Sequence, residues 1–298
     1  MSLLEWLVRL AERHADDLGH DVAPLRIGDR DVDTDAEPVL MGVVNLSRDS
    51  AYRESIAVST ASAVRKARVQ VAQGAHVVDL GAESSRPSAS GIDPGEQLRT
   101  LRPVVEAMVA EGVVVSLESY DVDVARAGLG AGARVLNLTG SGDDDAMFAL
   151  AAEHGASVVL CHVLGVHARA LDGSDVQDDP FAEMLDVFGR RVERARELGV
   201  PSLAIDPGVG FGFRMDDPDA RARYQATTLV SSFRLRRLGV PVCQALPHAF
   251  DVFEDQFRTA EGFFAVLAQL GGTGVYRTHE VAHVRAVLEA VSLVTFDG

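Results

Sequence analysis

Val39-Leu40-Met41-Gly42-Val43-Val44-Asn45 is an apolar run of strand length that stops on an amide side chain. The same pattern returns along the whole chain. His76-Val77-Val78 leads into Asp79, Val113 to Leu117 into Glu118, and Arg134-Val135-Leu136 into Asn137. Ser157 to Cys161 leads into His162, Leu203-Ala204-Ile205 into Asp206, Pro241-Val242-Cys243 into Gln244 to His248, and Gly274-Val275-Tyr276 into Arg277 and His279. Nearly continuous Val/Leu/Ile runs mark strands covered on both faces, as in parallel sheets. Polar groups gathered at one end of many parallel strands make a floor for a small ligand.

Between these runs the apolar residues recur at helical spacing. The stretches are 60–74, 94–112, 121–132, 143–155, 180–199, about 219–239, 255–271 and 280–294, and several stop at glycine, a common helix terminator. Eight strand–helix units without a break in composition predict an α/β fold, a single (β/α)8 TIM barrel over residues 38–298. A doubly wound open sheet is the alternative, and polar strand ends in almost every unit make it the weaker one. Residues 1–37 form an extension: an amphipathic helix from Leu3, then Pro24 to Val32 as a short hairpin closing the barrel's N-terminal end. Leu46 to Ser59 and Val163 to Asp179 read as long loops on the active face.

The chain has 298 residues, 47% hydrophobic and 24% charged, which is ordinary globular composition. With 28 basic against 44 acidic residues its formal charge is −16, which argues against nucleic acid or an anionic membrane as partner. A small anion can still bind where a few arginines converge. Cys161 and Cys243, the two cysteines, fall inside predicted strands, so we expect small apolar core residues and a reducing cytoplasm. The N-terminus lacks a basic leader and a cleavage site, and no apolar run approaches the length that crosses a bilayer.

Asp206-Pro207-Gly208-Val209-Gly210-Phe211-Gly212-Phe213 has glycine spacing that only loosely matches dinucleotide loops. A carboxylate at the strand end can instead accept two N–H bonds from an amino-pyrimidinone edge, with glycines letting a flat ligand approach the backbone. The plainer reading is an aspartate capping its own loop. His279-Glu280-Val281-Ala282-His283 matches H-E-x-x-H literally. His279 sits at a strand end whereas His283 lies one turn into an outer helix, so the match reads as accidental. Arg277 and His279, two apart, can both face the barrel mouth, near where phosphate commonly binds in this fold. We favour a phosphate contact for Arg277 over a salt bridge across the rim. Asn45, beside them, offers an amide oxygen to a magnesium–diphosphate ion. Asp79, Glu83 and Arg86 can form an ion-pair network along their loop. His162 reads as a core histidine bonded to a backbone carbonyl, and Asp143-Asp144-Asp145 as the acidic first turn of a helix.

Taken together, Met41 to Ser50, Asp79 to Pro87, Asn137, Asp206 to Gly212 and Arg277 to Glu280 resemble the dihydropteroate synthase family across the barrel. The resemblance implies a TIM barrel, a homodimer, and a reaction that joins p-aminobenzoate to a hydroxymethyl-dihydropterin diphosphate, with magnesium and release of pyrophosphate. It implies that Asp206 and Asn137 bind the pterin, that Asn45 meets the metal and diphosphate, that Arg277 and His279 hold the leaving group, and that Asp49 belongs to the first loop. Asp79, Glu118, Phe211 and His248 complete the candidate substrate site.

The chain departs from the family pattern at several positions. Leu117-Glu118-Ser119 replaces Val-Asp-Thr, Leu138 follows Asn137 where an aspartate is usual, and Phe213 ends a run that usually ends in lysine. Leu246 to Phe250 replaces Ser-Arg-Lys-Ser, and Ala51 replaces an aromatic. The diphosphate end is thus intact and the aminobenzoate end largely replaced. Loss of a charged donor in a desolvated site costs roughly 1.5–3 kcal/mol, so altered acceptor use, a related heterocycle, or a non-catalytic pterin-binding or partner barrel are the competing readings.

Overall fold

The computed structural model describes residues 1–46, 53–81, 94–171, 176–177 and 179–294. After helix α1 (Leu3–Arg13) comes an antiparallel hairpin, β1 (Leu25–Ile27) and β2 (Arg30–Val32). Eight parallel strands follow: β3 (Val39–Asn45), β4 (Val77–Gly81), β5 (Val115–Ser119), β6 (Val135–Leu138), β7 (Ser157–Cys161), β10 (Leu203–Asp206), β11 (Val242–Ala245) and β12 (Thr273–Thr278). Each pairs with the next, and β12 pairs back onto β3, so the sheet closes into a barrel without an edge. The short strands β8 (Gly165–His167) and β9 (Ala170–Leu171) stand apart as a second hairpin, inside what the sequence presents as loop.

Side chains alternate across each strand, and the alternation sorts the residues. Val39 and Met41, Val77, Val135, Val159 and Cys161, Ala204, Cys243 and Val275 point inward as one apolar cluster. Their neighbours Val78, Leu80, Leu117, Leu136, Val158, Leu160 and Ile205 point outward and pack under the helices. Leu25, Ile27 and Val32 of the first hairpin join the inner cluster. Ser157 Oγ bonds the Arg26 carbonyl at 2.7 Å and Ser202 Oγ accepts from the Arg26 amide at 3.1 Å, fixing the hairpin against the bottom of the barrel.

The outer layer comprises α2 (Thr60–Ala72), α3 (Pro94–Ala110), α4 (Val122–Gly130), α5 (Asp144–Glu153), α6 (Phe181–Glu197), α7 (Pro218–Ser231), α8 (Phe250–Phe253), α9 (Phe257–Leu270) and α10 (Val281–Ser292). Asp121 caps α4 by accepting from the amides of Asp123 and Val124, and Asp217, ahead of Pro218, caps α7 in the same way. The helix expected over 219–239 is α only to Ser231 and continues as a 3-10 helix to Leu238. At the change Ser232 Oγ bonds the Leu229 carbonyl at 2.7 Å and the Gly271 carbonyl at 3.1 Å, a side-chain competitor for backbone acceptors. No described helix is long and apolar enough to cross a membrane.

The acidic turn at 143–145 serves packing. Asp144 pairs with Arg191 through two bonds of 2.8 Å, and Asp145 pairs with Arg194. Buried Arg191 also donates to the carbonyls of Cys161 (3.0 Å) and Gly140 (2.7 Å), pinning α6 to the ends of two neighbouring units. We predict that Arg191→Met, which strands these acceptors, destabilises the fold by about 3 kcal/mol in urea denaturation. A loss below about 1 kcal/mol would mean the clamp is not structural.

Candidate active site at the barrel mouth

Strand parity aims Asp79, Asn137, Asp206 and Arg277 into the barrel, because each shares the face of its strand's inner apolar residues, and Glu118 alternates with the outward-facing Val115 and Leu117. Arg277 is their hub. Its Nε donates to Asp79 Oδ2 at 2.7 Å and its Nη2 to Glu118 Oε2 at 2.5 Å. Burial alone would lower the basicity of this guanidinium; Glu118 and Asp79 outweigh it and raise it above its ordinary value. Asp79, with no exposed surface, also accepts from Ser116 Oγ at 2.5 Å and Asn137 Nδ2 at 3.0 Å. The Cys161 thiol donates to Asn137 Oδ1 at 3.1 Å. Burial, with the Asp206 charge behind it, pushes that thiol well above its usual range, so it acts as a neutral donor.

Asp206 stands next to Cys161 in the β10–β7 register. Burial raises its carboxyl to about 6, against hydrogen bonding from the Gly208 backbone, the charge of Arg277 and the Ala245 backbone. Its Oδ1 accepts from the Gly208 amide at 2.7 Å, so the aspartate does cap its own loop. The glycines that follow are explained by the protein's own backbone rather than by a ligand. A Cβ on Gly208 would lie 2.1 Å from the His162 carbonyl oxygen, and one on Gly212 2.4 Å from the same atom. Phe211 rests against the inner apolar cluster. Phe213 turns to Tyr224 and Phe250 to His248 and Phe257, so both rings are spent on neighbours outside the barrel strands.

A second group lies where β11 and β12 end. Glu261, a fully buried carboxylate of α9, accepts from the amides of His279 and Glu280 and from Thr278 Oγ1. The rings of His248 and His279 both reach its Oε1, at 3.1 and 3.0 Å. Burial would raise Glu261, but the two histidines outweigh it and bring the carboxyl well below its usual range. His279 is lowered, chiefly by burial. His279 also lines a cleft of about 360 Å³ with Ser55, Arg65, Lys66 and Arg258. Asn45, buried at the end of β3, donates from Nδ2 to Ser55 Oγ at 2.6 Å, which directs its amide oxygen away from that hydroxyl.

Several expectations change. Arg277 makes the salt bridge across the rim, to Asp79 and Glu118, the reading placed second from sequence, and its phosphate contact stands as a proposal. The partners of Asp79 lie on β5, β6 and β12; Glu83 and Arg86, like Asp49, lie outside the described residues. His162 is buried against Phe188, and burial, with the charge of Arg191, lowers its imidazole to about 4; it makes no carbonyl bond among the described residues. His248 faces Glu261 and His279. His283 is exposed and lies over Gly262, apart from His279's partners, as a surface or helix-packing histidine would be. Glu261 was missed; its signal is a lone acid within the apolar helical run Ala260 to Ala268.

The pterin binding enzyme family pattern matches residues 41–279. The chain is 30% identical over 224 residues to dihydropteroate synthase of Synechocystis sp., covering 74% of each protein. It is 33% identical over 267 residues to dihydropteroate synthase of Mycobacterium leprae, covering 86% of this chain and 92% of that one. It is also similar to the crystal structure of Thermus thermophilus dihydropteroate synthase in complex with 4-aminobenzoate. That comparison gives a TM-score of 0.74 at 30% identity and covers 91% of this chain and 100% of the other. The same Thermus protein in complex with 6HMPPP gives a TM-score of 0.73 at 29% identity, with the same coverage.

Gly208 has φ +76° and meets the His162 carbonyl, whereas Gly239 has φ +69° and nothing within 4 Å. We predict that Gly208→Ala costs at least about 2 kcal/mol more than Gly239→Ala in chemical denaturation. Equal losses would show that only the backbone angle matters.

Proposed function

Because this chain belongs to the dihydropteroate synthase family of pterin-binding enzymes, we propose that it is a transferase of folate biosynthesis acting on a dihydropterin-methyl diphosphate. The acceptor is 4-aminobenzoate or a related amine: its nitrogen bonds to the pterin methylene carbon as the carbon–oxygen bond to diphosphate breaks. The observation that carries this reading is the acceptor-rich floor formed by Asp79, Glu118, Asn137 and Asp206 around one guanidinium. An amino-pyrimidinone edge is donor-rich, and a desolvated carboxylate such as Asp206 is its natural partner. Asp206 already accepts from the backbone of Gly208 and Ala245, which leaves its remaining lone pairs for the N–H groups of the ring.

The reaction needs a held leaving group and a waiting amine, not a nucleophilic side chain. In this reading His279, with Arg65 and Lys66 along its cleft, favours the diphosphate; Arg258 there is paired with Glu54 and Glu280, as Arg277 is with Asp79 and Glu118. A hard oxygen donor suits Mg2+, and the Asn45 amide, oriented by Ser55, fits that role. Bound there with the substrate, Mg2+ would offset charge on the departing diphosphate. The resemblance further supports a homodimer, and two free, buried cysteines suit a reducing cytoplasm. The replaced segment Leu246 to Phe250 favours one second reading: the same donor substrate with another amine as acceptor.

The carboxylate form of Asp206 is the one that accepts two N–H bonds, and its unliganded carboxyl lies at about 6. Affinity for the pterin diphosphate in calorimetry should therefore be flat at neutral pH and fall about tenfold per unit below that value. Asp206→Asn should bind at least about tenfold more weakly and lose this dependence. An unchanged affinity in the variant would remove Asp206 from the site. Pyrophosphate release with 4-aminobenzoate separates the two acceptor readings: tight pterin binding without release favours the second.

A further inference from the structure

We propose that His248, Glu261 and His279 form a site for one divalent first-row transition-metal ion, zinc above all, between the ends of β11 and β12. The three donor atoms form a nearly equilateral triangle: His248 Nε2 to His279 Nδ1 is 3.1 Å, His248 Nε2 to Glu261 Oε1 is 3.1 Å, and His279 Nδ1 to the same oxygen is 3.0 Å. An ion about 2.0–2.1 Å from each atom sits roughly 1 Å above such a plane, with angles of about 97° between its bonds, intermediate between a tetrahedral and an octahedral face.

Protons alone do not satisfy this triangle. A neutral ring nitrogen is either a donor or an acceptor, never both. If both imidazoles donate to the carboxylate, their two N–H groups oppose each other across 3.1 Å. If one imidazole donates to the other, the accepting nitrogen faces an ionised oxygen at about the same distance. One cation at the centre satisfies all three edges at once.

The surroundings hold the donors in place. Glu261 is fully buried and its Oε2 is fixed by Thr278 Oγ1 and the amides of His279 and Glu280. The His248 ring stacks on Phe250 at 5.0 Å and 7°. Ala249, the next residue, has φ 44°, a conformation that a non-glycine residue holds only when its surroundings impose it. Two imidazoles with a carboxylate select zinc and its first-row neighbours over magnesium or calcium, which prefer oxygen. His279 also borders the cleft that holds Arg65 and Lys66, and three protein ligands leave a coordination position that an anionic oxygen can take. The site does not depend on the pterin reading, and its test needs no pterin.

The full chain, stripped with chelator and dialysed against zinc, should retain one equivalent by elemental analysis. Co2+ titration should give the visible absorption of a low-coordinate nitrogen–oxygen site, undiminished by excess Mg2+. His248→Ala and His279→Ala should each weaken Co2+ binding on the order of a hundredfold or more, with circular dichroism confirming the fold. His283→Ala should bind as the parent does. Glu261 also holds the 278–280 backbone, so the histidine variants carry the test. Substoichiometric zinc, unchanged Co2+ affinity in the folded His248→Ala protein, displacement by Mg2+, or loss of binding in His283→Ala would each overturn the proposal.

Discussion

The mouth of this barrel is organised by one buried guanidinium. Arg277 enters from β12 and is held by Asp79 of β4 and Glu118 of β5, so a single side chain ties together three strands of the closed sheet. A desolvated cation there is tolerable only with such partners, and removing one of them would leave an uncompensated charge in the interior. Asp79 extends the cluster to Ser116 and Asn137, and Asn137 extends it to Cys161, beside Asp206. Two carboxylates against one guanidinium leave the floor rich in acceptors, and the Asp206 carboxyl, raised chiefly by burial, completes it. Such a floor selects a ligand that brings donors. On the proposed function, the diphosphate turns to the outer cleft that holds Arg65 and Lys66.

The strands were legible because their apolar runs are unbroken and each ends on a polar residue. Once Val39, Met41 and Val275 are known to point inward, parity alone places Arg277 and Asn45 at the mouth. What pairs with Arg277 was not legible, since Asp79 and Arg277 are 198 positions apart and only closure of the barrel brings them together. The glycines after Asp206 were read for a ligand because a sequence shows a small residue without showing what crowds it. In the fold the crowding atom is the His162 carbonyl. The break in the helix after Ser231 escaped periodicity because it comes from one hydroxyl bonding to carbonyls on two segments.

Where the chain departs from its family's pattern, the structure shows an alternative set of contacts rather than a gap. His248, standing in the segment that replaces the usual lysine, is joined to His279 through Glu261 on α9. The substitution therefore comes with a buried carboxylate and a tense backbone at Ala249, and the two ends of β11 and β12 share one polar cluster. On the proposed function, that arrangement changes what the aminobenzoate end offers a second substrate, while the inner floor keeps its acceptors.

The most direct test of the account is a crystal soaked with the dihydropterin-methyl diphosphate at saturating concentration. The account predicts electron density for the ring inside the barrel mouth, its amino-pyrimidinone edge within hydrogen-bonding distance of Asp206 and Asn137, and the diphosphate toward His279. Density for the ring outside the mouth, or its absence from the site at saturation, would contradict it.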